Sequence, residues 1–414
     1  MHTLHILHQY LPEHIGGTEL YAQTLTDQLH QRGHQTTIFH RHSALGRGLR
    51  TRQPHPQLTI HATWDGFFSP TRRFLATFRS PHIHQTFIKI LDQTPPDLVH
   101  IHHLMGLPYN LATELQHRQI PYIITLHDFW WVCANAQLIT NDTQEICAGP
   151  DRFHNCARCA LARANRTLPA PLIPLAAQPL AQRNARLQTI LHGAQNLIAP
   201  AHFVKQWYQQ HGLPSDSITV IPHGLDISGV QPANDTEPRP LRLGYIGGIS
   251  WQKGVHTLID AVNQLPHPPE LWIAGDLNAF PDYAQQLQTS AHKNTRFLGR
   301  LTRDQIWHML AQIDLIVVPS VWYETFCFVI SEAFAAGVPV IASDIGVLAE
   351  RVHHGIDGFL FPPGDSTALS QQINQIQQNP AQLAHLQASI TPVTTLEQHA
   401  TAIENLYQQL LTTS

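Results

Sequence analysis

Glu324 and Glu332 stand eight residues apart in the stretch Glu-Thr-Phe-Cys-Phe-Val-Ile-Ser-Glu. A helix starting near Phe328 would place Glu332 one turn inside it and leave Glu324 in the loop before it. Both carboxylates could then meet one ligand from different sides. A carboxylate accepts two hydroxyl protons at once, which suits a sugar diol or a ribose diol. Lys253 is one of four lysines, with Lys89, Lys205 and Lys293, and it follows the pair Gly247-Gly248 at the start of an expected helix, 255–265. A cation there suits a diphosphate. Gly16-Gly17-Thr18-Glu19 sits between an opening strand and the expected helix 20–32, where backbone can approach a phosphate closely. His127-Asp128 ends another strand; a histidine there can bond a sugar hydroxyl, and Asp128 could fix its tautomer. A bare turn, a structural histidine, a solvated glutamate pair or an exposed lysine would use the same residue types.

The elements that must position these groups alternate along the whole chain. Short apolar runs at 4–8, 98–102, 122–126, 196–199, 218–221, 241–246, 271–274, 314–318 and 338–342 read as strands covered on both faces. Helix-period stretches separate them; Tyr21, Leu25 and Leu29 share one face, with Gly33 as a cap. The expectation is an α/β fold with doubly wound parallel sheets. The pattern runs twice, broken at the polar stretch 224–240, which reads as a linker. The expected domains are 1–223, 224–392 and a final helical segment, 393–414, whose Ile403, Leu406 and Leu410 must pack on something. Ligands of such sheets bind at the carboxyl ends of the strands.

Composition narrows the classes. Lys+Arg total 25 and Asp+Glu 29, a net charge of −4 that offers no footprint for nucleic acid. Charged residues make up 13%, while histidine reaches 30, so a lone histidine says little. No apolar run is long enough to span a bilayer and no leader is evident, so a cytoplasmic protein is expected. Four of the five cysteines, Cys133, Cys147, Cys156 and Cys159, form a C-x13-C-x8-C-x2-C set. That set could close a structural zinc site within an irregular insertion at about 133–180. The Pro-studded piece 168–180, flanked by Arg163, Arg166, Arg183 and Arg186, could rest on a membrane as a peripheral contact or cover the sheet.

Taken together, these stretches resemble the retaining nucleotide-sugar glycosyltransferases of family four. The resemblance rests on residues 245–261, 272–276, RFLGRL (296–301), 314–344 and GIDGFLFPPGD (355–365), with GGTELYAQTLTDQLHQRGH and TLHDFWWVC in the first half. It implies the GT-B architecture, two Rossmann-like domains facing across a cleft, with the amino-terminal one binding the acceptor. By the same resemblance Glu332 holds the donor ribose. Glu324, with the backbone of Thr325, Phe326, Cys327 and Phe328, holds the donor sugar. Lys253 pairs with the diphosphate, which Gly16 and Gly17 let approach; Gly299 flanks the base and His127 reaches the anomeric region. The final helix crosses back to the first domain.

The implied activity is transfer from a nucleotide-diphosphate sugar to a glycan or lipid-linked acceptor, with no cofactor required for catalysis. The chain has no Asp-x-Asp, which suits metal-independent transfer. Two positions depart from the family pattern: Gly248 stands where many relatives carry an arginine, and Cys327 where glycine is common. A GT-B sugar-nucleotide epimerase or hydrolase, or an inactive binding module, would share most of the pattern.

Overall fold

The apolar runs become two separate sheets in a computed structural model, which describes residues 1–67, 69–231 and 239–413. The chain divides into two units, Met1–His223 with Leu396–Ser414, and Gly224–Thr395. Of the expected linker, residues 232–238 lie outside the described residues.

The first unit has strands β1 (His2–Leu7), β2 (Gln35–Arg41), β3 (Arg47–His55), β4 (Leu58–Asp65), β5 (Leu98–Ile101), β6 (Tyr122–Thr125), β7 (Asn196–Ala199) and β8 (Ile218–Val220). They lie side by side in the order β3-β4-β2-β1-β5-β6-β7-β8. Every pairing is parallel except β3 with β4, an antiparallel edge that the sequence did not announce. β3 is mostly exposed and rich in arginine, so it lacks the apolar run that marks the others.

The second unit has strands β9 (Arg242–Ile246), β10 (Glu270–Ala274), β11 (Thr295–Gly299), β12 (Leu315–Val318), β13 (Val340–Ser343) and β14 (Gly358–Phe361). Their order, β11-β10-β9-β12-β13-β14, is the 3-2-1-4-5-6 arrangement of a Rossmann sheet, all parallel. Its core joins Leu243, Leu258, Leu315, Ile341 and Leu369 from strands and covering helices.

Two helices carry most of the local logic in the first unit. Helix Gly17–Gln31 buries Tyr21, Leu25 and Leu29 against the last helix, Leu396–Thr413, which contributes Ala400, Ile403 and Tyr407 to the same cluster. The stretch expected to be irregular, about 133–180, instead contains helix His154–Arg163 and the start of helix Ile173–Gly193. Pro174 sits in the first turn of that second helix, where a missing N–H costs nothing. Its Ile173, Ala177 and Leu180 pack on Ala157, while Leu168, Leu172 and Leu175 stay exposed. Among the described residues no helix is long and apolar enough to cross a membrane.

Candidate active site

In the first unit the carboxyl ends of β1, β5 and β6 deliver His8, His102, His103, His127 and Asp128 to one place. The glycine turn opens helix Gly17–Gln31 beside them. Gly16 has extended backbone and a Cβ there would strike the Glu19 carboxylate, whereas Gly17 faces open space. Glu19 is buried, 3.7 Å from His8, and burial raises its carboxyl pKa.

His127 is half-buried among rings. Tyr21 meets it edge-on with centroids 4.8 Å apart, and His223 lies at 5.5 Å. Burial lowers its pKa, against the opposing pull of Asp128. Asp128 is not its tautomer partner, as the sequence suggested. The Asp128 carboxylate turns to His103 at 3.2 Å and accepts the Trp130 N–H at 2.8 Å. Adjacent residues leaving a strand point in different directions, so adjacency in sequence misled here. His127 Nε2 instead lies 3.1 Å from His102 Nδ1, within hydrogen-bond distance.

In the second unit, Gly247-Gly248 follow β9, and Lys253 ends a short 3-10 turn before helix Val255–Asn263. Gly254 joins the two at φ +69°; a Cβ there would lie 1.8 Å from the Pro319 carbonyl oxygen, so only glycine fits. This packing brings Lys253 to the loop after β12. Lys253 Nζ donates to Glu324 Oε1 at 2.7 Å, and the same oxygen accepts from Ser320 Oγ and Trp322 Nε1, each at 2.9 Å. Burial works against both charges, yet each outweighs that penalty for the other. The Lys253 pKa is raised and the Glu324 pKa lowered.

Helix Phe328–Ala335 starts where the sequence placed it, and Glu332 lies one turn inside, buried and paired with Arg303. Burial raises the Glu332 pKa although Arg303 opposes the shift. Arg351 ties down the intervening loop. Its guanidinium donates to the carbonyls of Phe326 (2.6 Å) and Cys327 (3.0 Å) and to Ser331 Oγ (2.7 Å), and lies over the Phe326 ring. Gly299, at φ +69°, ends β11 with open space beside it. Ser320, Trp322, Arg303, Arg351 and His102 were not singled out from sequence. The run His100-Ile-His-His103 at the end of an apolar strand was the available signal for His102.

The four cysteines of the insertion are free, and all stand partly buried. Cys159 Sγ accepts the backbone and side-chain N–H of Asn141 at 3.3 and 3.1 Å, and Cys147 Sγ accepts the Gly149 N–H at 3.4 Å. Burial and the three neighbouring thiols push Cys156 up to about 12. Among the described residues, the group of His, Cys, Asp or Glu ligand atoms lying mutually within 4.8 Å is a different one, His5, His100 and His102.

Two family models cover most of the chain. "Glycosyltransferase Family 4" matches residues 15–228 and "Glycosyl transferases group 1" matches residues 231–390. The chain belongs to glycosyltransferase family 4. The chain is 36% identical over 171 residues to a glycogen synthase of Mycobacterium tuberculosis, covering 40% of this chain and 41% of that protein. It is 29% identical over 222 residues to a lipopolysaccharide 1,2-N-acetylglucosaminetransferase of Salmonella typhimurium, covering 46% and 58%. The chain therefore spans about half the length of these curated relatives. Among solved structures, sucrose-phosphate synthase from Thermosynechococcus elongatus superposes with a TM-score of 0.74 at 20% identity, covering all of both chains. Anabaena Alr3699/HepE in complex with UDP and glucose gives 0.64 at 21%, covering 100% and 99%. Both likenesses concern the fold, which is GT-B.

Proposed function

We propose that this glycosyltransferase moves a sugar, with retention of configuration, from a nucleotide-diphosphate sugar to a hydroxyl of a glycan or lipid-linked acceptor. The product would be a surface polysaccharide or glycoconjugate. The observation that carries this reading is Glu324 held by Lys253, Ser320 and Trp322, one helical turn and a loop away from buried Glu332. Lys253 meets the diphosphate, and Glu324, fixed through Oε1, offers Oε2 to the sugar hydroxyls. Glu332 exchanges part of its contact with Arg303 for the ribose diol. The backbone from Thr325 to Phe328, braced by Arg351, lines the sugar, and Gly299 flanks the base. His127 bonds the donor sugar near its anomeric centre.

Charge that develops on the leaving diphosphate falls to Lys253 and to helix amino termini, without a metal ion. The departing phosphate oxygen takes the acceptor proton as the new glycosidic bond forms on the same face. The relatives named for lipopolysaccharide transfer and the solved complex with UDP support this choice of substrates. A place at the cytoplasmic membrane surface agrees with the exposed Leu168, Leu172 and Leu175.

A thermal-shift panel of UDP, GDP, ADP and their sugars, without added metal, tests the donor site. A ligand at 100 times its Kd adds about 2.7 kcal/mol, or roughly 2–4 °C per kcal/mol for a domain of this size. One nucleotide should stand out. Glu332→Gln should weaken it by about 1.5–3 kcal/mol, the worth of a charge-assisted hydrogen bond. A flat panel with folded protein would overturn the assignment.

We also propose that Cys133, Cys147, Cys156 and Cys159 hold a structural zinc ion. The thiol set is complete, and N–H groups already aim at two of the sulfurs, as they do for metal-bound thiolates. The ion would draw the sulfurs together and pin the insertion. Purified protein should contain about one equivalent of zinc; less than half would reject the site.

A further inference from the structure

His127 does not stand alone: it ends a file of three imidazoles drawn from three strands. Thr3 Oγ1 lies 3.0 Å from His5 Nε2, and His5 Nδ1 lies 3.0 Å from His102 Nε2. His102 Nδ1 lies 3.1 Å from His127 Nε2. Thr3, His5 and His102 are wholly buried. Burial lowers the pKa of His5 to about 3 and that of His102 well below its usual value, so the rings are neutral.

A neutral imidazole has one N–H and one lone pair. Each ring interior to the file therefore donates on one side and accepts on the other. A reversal anywhere would set two N–H groups or two lone pairs against each other in a dry interior, where an unmade hydrogen bond is costly. The file thus has two states, one for each direction of donation. The proton position on His127 is tied to that on His5, two rings away. Thr3 closes the far end with a hydroxyl that serves as donor or acceptor.

The adjoining file shows the alternative, a fixed direction. His399 Nδ1 faces the Pro222 carbonyl at 2.7 Å, which only accepts, so His399 Nε2 must accept from the Tyr21 hydroxyl at 3.0 Å. In the file Thr3–His5–His102–His127, the His127 ring, 3.1 Å from His102, is the one that meets the ligand in the function proposed above.

We propose that His102, backed by His5 and Thr3, is a positioning residue of the transfer reaction. It orients the His127 ring and sets which of its nitrogens carries the proton offered to the donor sugar. The metal reading of His5, His100 and His102 is weaker. Their ring nitrogens already pair with one another, with Thr125 at 2.7 Å and with Tyr407 at 2.6 Å.

The test is nitrogen NMR of the full chain labelled in its histidine rings, which reads each tautomer directly. Signals are assigned by single substitution, and Tyr407→Phe, which removes the hydroxyl bonded to His100, serves as the control. In the unaltered protein His5, His102 and His127 should each show one tautomer, all of the same direction. Thr3→Val, an isosteric change two rings away, should shift the His127 tautomer population, while Tyr407→Phe should leave it alone. Identical His127 signals in folded Thr3→Val and His102→Phe would overturn the proposal.

With the nucleotide sugar that stands out in the thermal panel, His102→Phe should lower kcat roughly tenfold to a hundredfold, the scale of a misplaced catalytic group. KM for that donor should stay within about threefold. His102→Asn, which keeps a donor at the Nδ1 position, should recover most of kcat. Equal kcat in His102→Phe and the unaltered enzyme would overturn the positioning role. A flat thermal panel with the coupled tautomers intact would count against the proposed donor chemistry and leave the file standing.

Discussion

Cys327 sits at the start of helix Phe328–Ala335 with φ +61° and ψ 75°, the left-handed region that favours glycine. Glycine, which the resemblance leads one to expect there, would adopt this turn without strain. A side chain in this conformation costs about 1–2 kcal/mol, partly offset by the entropy glycine loses on folding, about 0.5–1 kcal/mol. Cys327→Gly should therefore add up to about 1 kcal/mol of stability, read as a higher urea midpoint, and a lowered midpoint would show that thiol packing dominates. Glu324, Glu332 and Lys253 were legible because the two carboxylates share one short motif and the scarce lysine sits at a glycine-marked turn. The His127 partnership was not legible, because His5, His102 and His127 come from three strands and pairing order decides who meets whom. Asp128, next in sequence, was the natural candidate and went to His103 instead.

At the scale of elements, the parallel strands announced themselves through unbroken apolar runs, and the switch at β9 and β12 put the charged loops where Rossmann sheets bind ligands. β3 escaped because an exposed edge strand needs no apolar face. The helix from Ile173 escaped because prolines read as breakers; Pro174 falls in its first turn, where a helix tolerates it, but Pro179 lies inside the helix. The last helix does more than cover the sheet. Its Tyr407 hydroxyl reaches His100 Nδ1 at 2.6 Å, and His100 Nε2 reaches Thr125 at 2.7 Å, all fully buried. Tyr407→Phe keeps the ring and strands a buried imidazole nitrogen. It should cost about 1–3 kcal/mol, read as a lower urea midpoint for the first unit, and no loss would show that the bond adds nothing.

Across the whole molecule, the abundance of histidine becomes a liability in acid. Burial lowers the pKa of His5 and His127 to about 3, and of His40 and His399 to about 4; His8, His100 and His102 also lie well below 6.5. Below pH 6.5 the unfolded chain takes up protons that the folded chain refuses, so stability falls as pH drops. Each such group contributes about 1.4 kcal/mol per pH unit. Glu19 and Glu332, whose pKa values are raised, offset a small part of this. Tm should be nearly flat from pH 8 to about 6.5 and fall steeply toward pH 5; a flat profile through pH 5 would mean that these rings are open to water. The composition displayed the histidines, but only the fold shows which are enclosed. The partnership of the first and last helices also orders events during synthesis. Ala400, Ile403 and Tyr407 leave the ribosome only after the second unit, about 170 residues, which takes roughly 10–35 s at typical translation rates. The second unit can fold while the first still waits, its His100 without Tyr407 and its Tyr21 without His399. The part of the chain made first is thus the last to be finished.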